Sequence, residues 1–398
     1  MKKHLLTTTC LIFLLFLPIQ AQEIATPTTA EPVQRPLPIR LAMSSETNYL
    51  TQLSRRGFKL DTQGILIESL DSSTVYADLN SNVGFNPASV IKVGTSMASL
   101  YRFGPNYRFR TGFYANGIVN KKTRTLNGDL VLVSTGDPML MTAEVSRLIR
   151  DVIRGGVIRV TGSLVVTGPF TYGNLWTTER AVRGVNLLLR KIGVRVSGGI
   201  KQGVPAGAEL ASHESMTLRE ILFYQNAHSS NPTAERLGEA IGGPKAVEQF
   251  LTEQVGISKS DLQISHTSGL DVNRITPRGT VQIFRELVYW LNLNNMQPQD
   301  ILPVAGMDVG TLRRRFTSLE YRGGIIGKTG TLPGTDGGVS TLAGIVYTRD
   351  KGPVLFAIFN TKGSVNTYRK LQDDFLKKFI TECGGIPEAS VSLHRSNN

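Results

Sequence analysis

Cysteine is nearly absent, with two residues among 398, Cys10 and Cys383. Cys10 lies in an N-terminal apolar run, so no intramolecular disulfide is open to the rest of the chain and its stability must come from a buried core. Cys383 reads as a buried or incidental thiol, since no cation that would lower its pKa can be assigned to it. Histidine numbers five and tryptophan two. His213 and His266 lack metal-ligand spacing, His228 directly adjoins Ser229, and all three read as surface or hydrogen-bonded side chains. Long hydrophobic runs are missing except for Leu5 to Leu17, which falls short of the ~20 residues of a spanning helix. Acidic residues are too few to balance the basic ones, 31 against 44, leaving a net charge of +13. Such a surface is drawn to anionic polymers and membranes, but no aromatic-and-basic nucleic-acid motif accompanies the charge. No internal repeat is visible.

What is present begins with Lys2 and Lys3 ahead of that apolar run, Pro18 to break it, and Ile19-Gln20-Ala21 as a cleavage site. This predicts a signal peptide over 1–21 and an exported protein of the periplasm or cell envelope. Peripheral contact with an anionic wall or membrane surface is then the expected use of the charge, and nucleic acid is not. Residues 22–42, rich in Pro and Thr, read as a tether. At ~150 residues per domain the remainder holds about two domains. Gly64-Ile65-Leu66-Ile67 and Ser73-Thr74-Val75-Tyr76 predict paired strands, and a helix is expected from Ser89 to about Tyr101. Between 108 and 210 the pattern turns to strands with one clear helix, carried by Val145, Leu148, Ile149, Val152 and Ile153, and reads as an inserted domain. Helices return afterwards: Thr217 and Glu220 form a capping box, and further helices are expected at 231–241, 244–254 and 277–291. A hairpin of Leu342–Thr348 with Val354–Thr361 and an amphipathic helix over 366–381 close the fold. The parts of the main domain are thus 43–107 and 211–385, with a flexible tail at 386–398.

Three short segments carry the chemistry. Ser89 and Lys92 are three apart, so on a helix they share one face, and at a helix start Ser89 sits among free backbone N–H groups able to stabilise an oxyanion. A serine is a poor nucleophile without a base, and lysine serves as one only when burial or a nearby cation lowers its pKa; Lys328 is a candidate for that cation. Alone, Ser-x-x-Lys is as well explained by a capped surface helix. Ser229-Ser230-Asn231 has an equally bland explanation as the N-cap of the helix that Pro232 begins, one that is compatible with Ser229 relaying a proton and Asn231 binding a substrate backbone. Lys328-Thr329-Gly330-Thr331 is the most specific. Gly330 allows close backbone approach to a strand, and the two hydroxyls with Lys328 suit a terminal carboxylate. A phosphate loop is the rival, but it requires glycine where this chain has Arg322.

In this order the three segments are similar to the motifs of active-site-serine penicillin-recognising enzymes. The chain resembles the penicillin-binding-protein-4 type of D-alanyl-D-alanine carboxypeptidase, serine peptidase family S13. Asn127–Val133, Gly136-Asp137-Pro138, Ser268-Gly269-Leu270, Asn273–Pro277 and Leu302–Gly306 extend the resemblance through most of the chain. It implies an α+β, β-lactamase-like transpeptidase domain, a five-stranded antiparallel sheet flanked by helices, interrupted by one smaller, mainly β insertion. It further implies Ser89 as acylated nucleophile, Lys92 as general base, Ser229 and Asn231 as relay and clamp, and Lys328 with Thr329 as carboxylate site. The backbone N–H groups of Ser89 and Thr331 would form the oxyanion hole, and no metal or organic cofactor would be needed. The partners implied are peptidoglycan stem peptides as substrates of carboxypeptidase and D,D-endopeptidase cleavage, with β-lactam antibiotics as inhibitors. Two departures stand out: only 139 residues separate Ser89 from Ser229, so one insertion is expected where larger members have two, and His266-Thr267 replaces small or acidic residues. A β-lactamase, which needs fast deacylation, and a catalytically idle wall-binding protein are the alternatives.

Overall fold

The apolar strands are hydrophobic at consecutive positions, which assigns them to a sheet covered on both faces. In the computed structural model, which describes residues 37–388, Leu66, Leu355, Ala357 and Phe359 join one hydrophobic cluster, while their neighbours Ile65, Ile67, Phe356 and Ile358 join another. The signal peptide expected at 1–21 and most of the tether lie outside the described residues, as does 389–398. The sheet runs in the order Ile39–Arg40, Thr74–Leu79, Gln63–Ser69, Gly352–Thr361, Val339–Thr348 and Ile325–Leu332. Its five long strands pair antiparallel, in line with the expected five-stranded sheet. The two-residue strand Ile39–Arg40 adds a parallel edge. It falls in the segment read as tether, where Arg40 binds Glu46 in a 2.5 Å ion pair.

One face is covered by the helices Ser44–Arg55 and Val365–Glu382, where Tyr49 stacks on Phe375 with ring centroids 4.6 Å apart. Between this face and the sheet lies a buried polar cluster: Asn360 donates to Tyr49 (2.9 Å) and Gln63 (2.8 Å) and accepts from Gln372 (2.8 Å). The other face carries Lys92–Phe103, Leu218–His228 and Pro277–Leu293 among its helices. The Thr217–Glu220 capping box is present, and Asn231–Ala240, Gly243–Glu253 and Val365–Glu382 lie where helices were expected. Ile386, placed in the tail from sequence, is buried against this core, so the packed structure extends past 385.

A second sheet is built from Arg108–Asn120, Thr125–Ser134, Arg159–Val160, Leu164–Thr167, Arg195–Val196, Ile200–Gln202 and Ala208–Thr217. It has its own hydrophobic cluster, from Phe113 to Ala211. The boundary expected at 210 falls within Ala208–Thr217, whose pairing runs on until Thr217 meets Arg108. The region holds two helices, not one: Thr142–Arg154 and Thr178–Ile192. In the second, Ala181, Val182, Val185 and Leu189 keep helical spacing, with Gly184, a residue that reads as a helix breaker, between them. A Cβ at Gly184 would come within 2.6 Å of Leu175 and 2.8 Å of the Tyr172 hydroxyl, so glycine here is a packing requirement and not a break.

Candidate active site

Ser89 lies in a 3-10 turn, Ala88–Ile91, that runs into the helix Lys92–Phe103. The turn starts with Ala88 in the left-handed region, φ 47°, a conformation that costs about 1–2 kcal/mol for a residue with a Cβ. Asn86 holds it from one side, accepting from the Ala88 N–H at 3.0 Å. Gly269 makes room on the other, since a Cβ there would stand 2.0 Å from the Ala88 carbonyl oxygen. The spacing of three carries across the junction: Lys92 Nζ donates to Ser89 Oγ at 2.9 Å.

Two more acceptors hold the same ammonium nitrogen, Asn231 Oδ1 at 2.7 Å and the Ser268 carbonyl at 2.5 Å. Lys92 is fully buried, and burial lowers its pKa to about 7, against a smaller upward pull from Glu235. The consequence is directional. A neutral amine keeps two N–H groups and one lone pair; a carbonyl and an amide oxygen can only accept, so they claim the N–H groups and leave the lone pair for the Ser89 hydroxyl. Burial, rather than the neighbouring cation anticipated from sequence, is the main cause of the shift.

Ser229 closes Leu218–His228 in the left-handed conformation, φ 55°, and Ser230 takes the N-cap of Asn231–Ala240. The capping role therefore falls to Ser230, which frees the Ser229 hydroxyl to accept from Lys328 Nζ at 2.8 Å. Lys328 also donates to the Thr329 carbonyl at 2.7 Å. It is wholly buried, and its pKa is pushed well down by desolvation and then by Lys92. Ser89, Lys92, Ser229, Asn231 and Lys328 are thus linked through two lysine nitrogens.

Lys328-Thr329-Gly330-Thr331 lies on Ile325–Leu332, at one end of the strand order. Residues 303–305 cover the beginning of that edge through bonds such as Ala305 N–H to the Ile325 carbonyl, 2.8 Å. From Lys328 onward no strand of the described residues pairs on that side, and an unpaired strand edge is the kind of element to which an extended peptide can add. Gly330 also meets a demand within the fold. A Cβ there would meet Thr341 Oγ1 at 2.1 Å and the Pro87 carbonyl at 2.5 Å, so glycine here seats the turn that carries Ser89. Thr329 Oγ1 donates to Thr311 Oγ1 at 2.8 Å, and Thr331 Oγ1 accepts from Arg369 at 2.8 Å.

Several residues here escaped the sequence reading. Glu235 accepts from the Ser268 N–H at 3.1 Å; standing four after Asn231 on the same helix face was its only signal. Ser268 was noted by resemblance without a role. Asn86, Thr311, Gln225 and Asn226 had no signal, although Gln225 and Asn226 donate to Ser96 Oγ beneath the lysine, at 3.0 and 3.1 Å. Among the histidines, His228 packs against Tyr224 with ring centroids 4.8 Å apart and the planes tilted by 40°, and His266 lies 3.6 Å from Glu235. Among the described residues no group of three His, Cys, Asp or Glu is placed to hold a metal. Burial pushes the Cys383 thiol up to about 11.

The sequence profile of the D-Ala-D-Ala carboxypeptidase 3 (S13) family matches residues 51–171 and 176–378, a span that includes every residue of the three segments. The chain belongs to this family. A stretch of 103 residues is 26% identical to D-alanyl-D-alanine carboxypeptidase DacB of Haemophilus influenzae, covering 26% of this chain and 21% of that protein. The chain therefore spans about a fifth of the length of this curated relative. Over the whole fold, penicillin-binding protein 4 (dacB) of H. influenzae superposes with a TM-score of 0.67 at 19% identity, covering 80% of this chain and 96% of that one. A predatory endopeptidase of Bdellovibrio bacteriovorus, solved with an immunity protein, gives 0.65 at 18%, covering 82% and 94%. At these identities the two structures speak for the fold.

Proposed function

We propose that the chain is an exported serine D-Ala-D-Ala carboxypeptidase that also acts as an endopeptidase on peptidoglycan cross-links. Family membership supports the reaction class, and one observation carries the mechanism: a buried amine, pKa about 7, lies 2.9 Å from a serine hydroxyl. Neutral Lys92 takes the Ser89 proton as Ser89 Oγ attacks the carbonyl carbon of the penultimate D-alanine. The tetrahedral oxyanion is held by the backbone N–H groups of Ser89 and Thr331. As the C–N bond breaks, the proton taken from Ser89 passes from Lys92 through the Ser229 hydroxyl, oriented by Lys328, to the departing amine; Lys92 is neutral again and free D-alanine leaves. Water then attacks the Ser89 ester and gives a proton to neutral Lys92, which passes it to Ser89 Oγ as the ester bond breaks, restoring the serine and releasing the shortened peptide. Asn231 clamps the peptide backbone beside Lys92, and Thr329 and Thr331 face the substrate's C-terminal side across Gly330.

Penicillins present the same acyl and carboxylate groups and are expected to acylate Ser89. Structures of relatives include H. influenzae penicillin-binding protein 4 with a β-lactam and a penicillin G-acylated B. bacteriovorus endopeptidase. The signal peptide over 1–21 places this activity in the periplasm or envelope, and the second sheet with its two helices acts as the single inserted domain. The test is release of D-alanine from a stem pentapeptide and cleavage of a cross-linked dimer by the purified enzyme. Both products should form, and both should be absent with Ser89→Ala. A folded wild-type protein that releases neither contradicts the proposal.

A further inference from the structure

A substrate ending in a carboxylate, as the proposed function requires, needs a positive charge near the open part of the Ile325–Leu332 edge. Lys328 is a poor source. It is fully buried, its nitrogen is committed to Ser229 and to the Thr329 carbonyl, and both burial and Lys92 disfavour its charged form. A guanidinium, by contrast, remains charged at any physiological pH.

Arg369, on the helix Val365–Glu382, reaches across to the strand and donates to Thr331 Oγ1 at 2.8 Å. Its natural partner would be Asp373, one helical turn on. That carboxylate is occupied: Arg315 donates to Asp373 Oδ1 from Nε at 2.8 Å and from Nη2 at 2.5 Å, and is itself buried. Among the described residues no carboxylate lies within ion-pair distance of Arg369. It is therefore an exposed guanidinium with like charge behind it, one N–H on a motif hydroxyl and further donors unspent, beside the strand segment that no other strand covers. A cation held without its own anion raises the free energy of the empty site and lowers that of a site filled by a carboxylate.

We propose that Arg369 binds the C-terminal carboxylate of the acyl donor, with Thr331 Oγ1 bridging the guanidinium to the substrate. The inference rests on the serine-acylation reading above, and assigns to Arg369 the charge that the motif alone would assign to Lys328. The rival is a strut that merely ties helix to strand.

The two are separated by the second-order acylation rates of benzylpenicillin and of its methyl ester, which lacks the charge, followed by intact mass. The enzymes compared are wild type, Arg369→Gln and Arg369→Lys. Wild type should favour the acid. Arg369→Gln should lose at least about tenfold on the acid, the scale of one charge-assisted hydrogen bond, and keep its rate on the ester. Arg369→Lys should fall between, since it keeps the charge and loses the fork. Equal losses on acid and ester, or no loss on either, would overturn the proposal in favour of a strut. Wild type acylated by neither compound would withdraw the serine-acylation reading and this inference with it.

Discussion

The protonation of Lys92 makes the sharpest prediction, because one buried group sets both the level and the pH dependence of acylation. An ordinary lysine, with a pKa of 10.5, is neutral in only about one molecule in three thousand at pH 7; at a pKa of about 7 half the molecules hold the free base, a gain of about a thousandfold. Acylation by benzylpenicillin, whose carboxylate stays ionised throughout, should rise tenfold per pH unit below 7 and level off above it. At pH 5 the rate should be about one-hundredth of the plateau. Glu235 pulls the pKa upward, so Glu235→Gln, which keeps an amide oxygen to accept from the Ser268 N–H, should move the rising limb to lower pH. The measurement is the second-order acylation rate from pH 5 to 10, quenched and read by intact mass. A rate still climbing with unit slope beyond pH 9, or a limb that Glu235→Gln moves to higher pH, refutes burial of the amine as the source of its basicity.

Three further outcomes follow from the same structure. The unfolded chain binds a proton at Lys92 that the folded chain has shed between about pH 7 and 10.5, so stability rises with pH in that window. Measured against Lys92→Met, wild type should gain at most about 4–5 kcal/mol across it, seen in denaturant melts at pH 7 and 10. Gly330→Ala places a methyl 2.1 Å from Thr341 Oγ1 and should cost about 1–3 kcal/mol together with most acylation. Gly334→Ala, with nothing within 4 Å, should change neither melting temperature nor rate. Asn360→Leu strips the buried partners from Tyr49, Gln63 and Gln372 and should lower stability by about 2–4 kcal/mol without altering the pH profile of acylation.

What could be read from sequence was what chemistry confines to short segments. The three segments hold Ser89 with Lys92, Ser229 with Asn231, and Lys328 at fixed local spacings, and folding joins them through the two lysine side chains. Strands such as Gln63–Ser69 and Gly352–Thr361 were legible because both faces are buried and their apolar runs are nearly unbroken. The helix Thr178–Ile192 was passed over although its apolar stripe keeps helical spacing; Gly184 within it reads as a breaker, and the Tyr172 and Leu175 contact that demands a glycine has no local signature. The cap at Ser230 rather than Ser229 turns on one left-handed residue. Glu235, Thr311 and Arg369 act across tens to hundreds of residues of chain, and charge or hydroxyl identity alone gives no sign of such partners. Gly330 shows a subtler limit: its motif suggested a close backbone approach, while the groups that demand the missing side chain are Thr341 and the turn that carries Ser89.

The central claim is a covalent one, that Ser89 is acylated with Lys92 as its base. Intact-mass spectrometry of the purified protein with benzylpenicillin, over hours and beside Ser89→Ala and Lys92→Ala, tests it most directly. The account predicts one long-lived adduct per wild-type chain and none on either variant when all three are folded. A folded wild type that gains no adduct, or an undiminished adduct on Ser89→Ala, would contradict it.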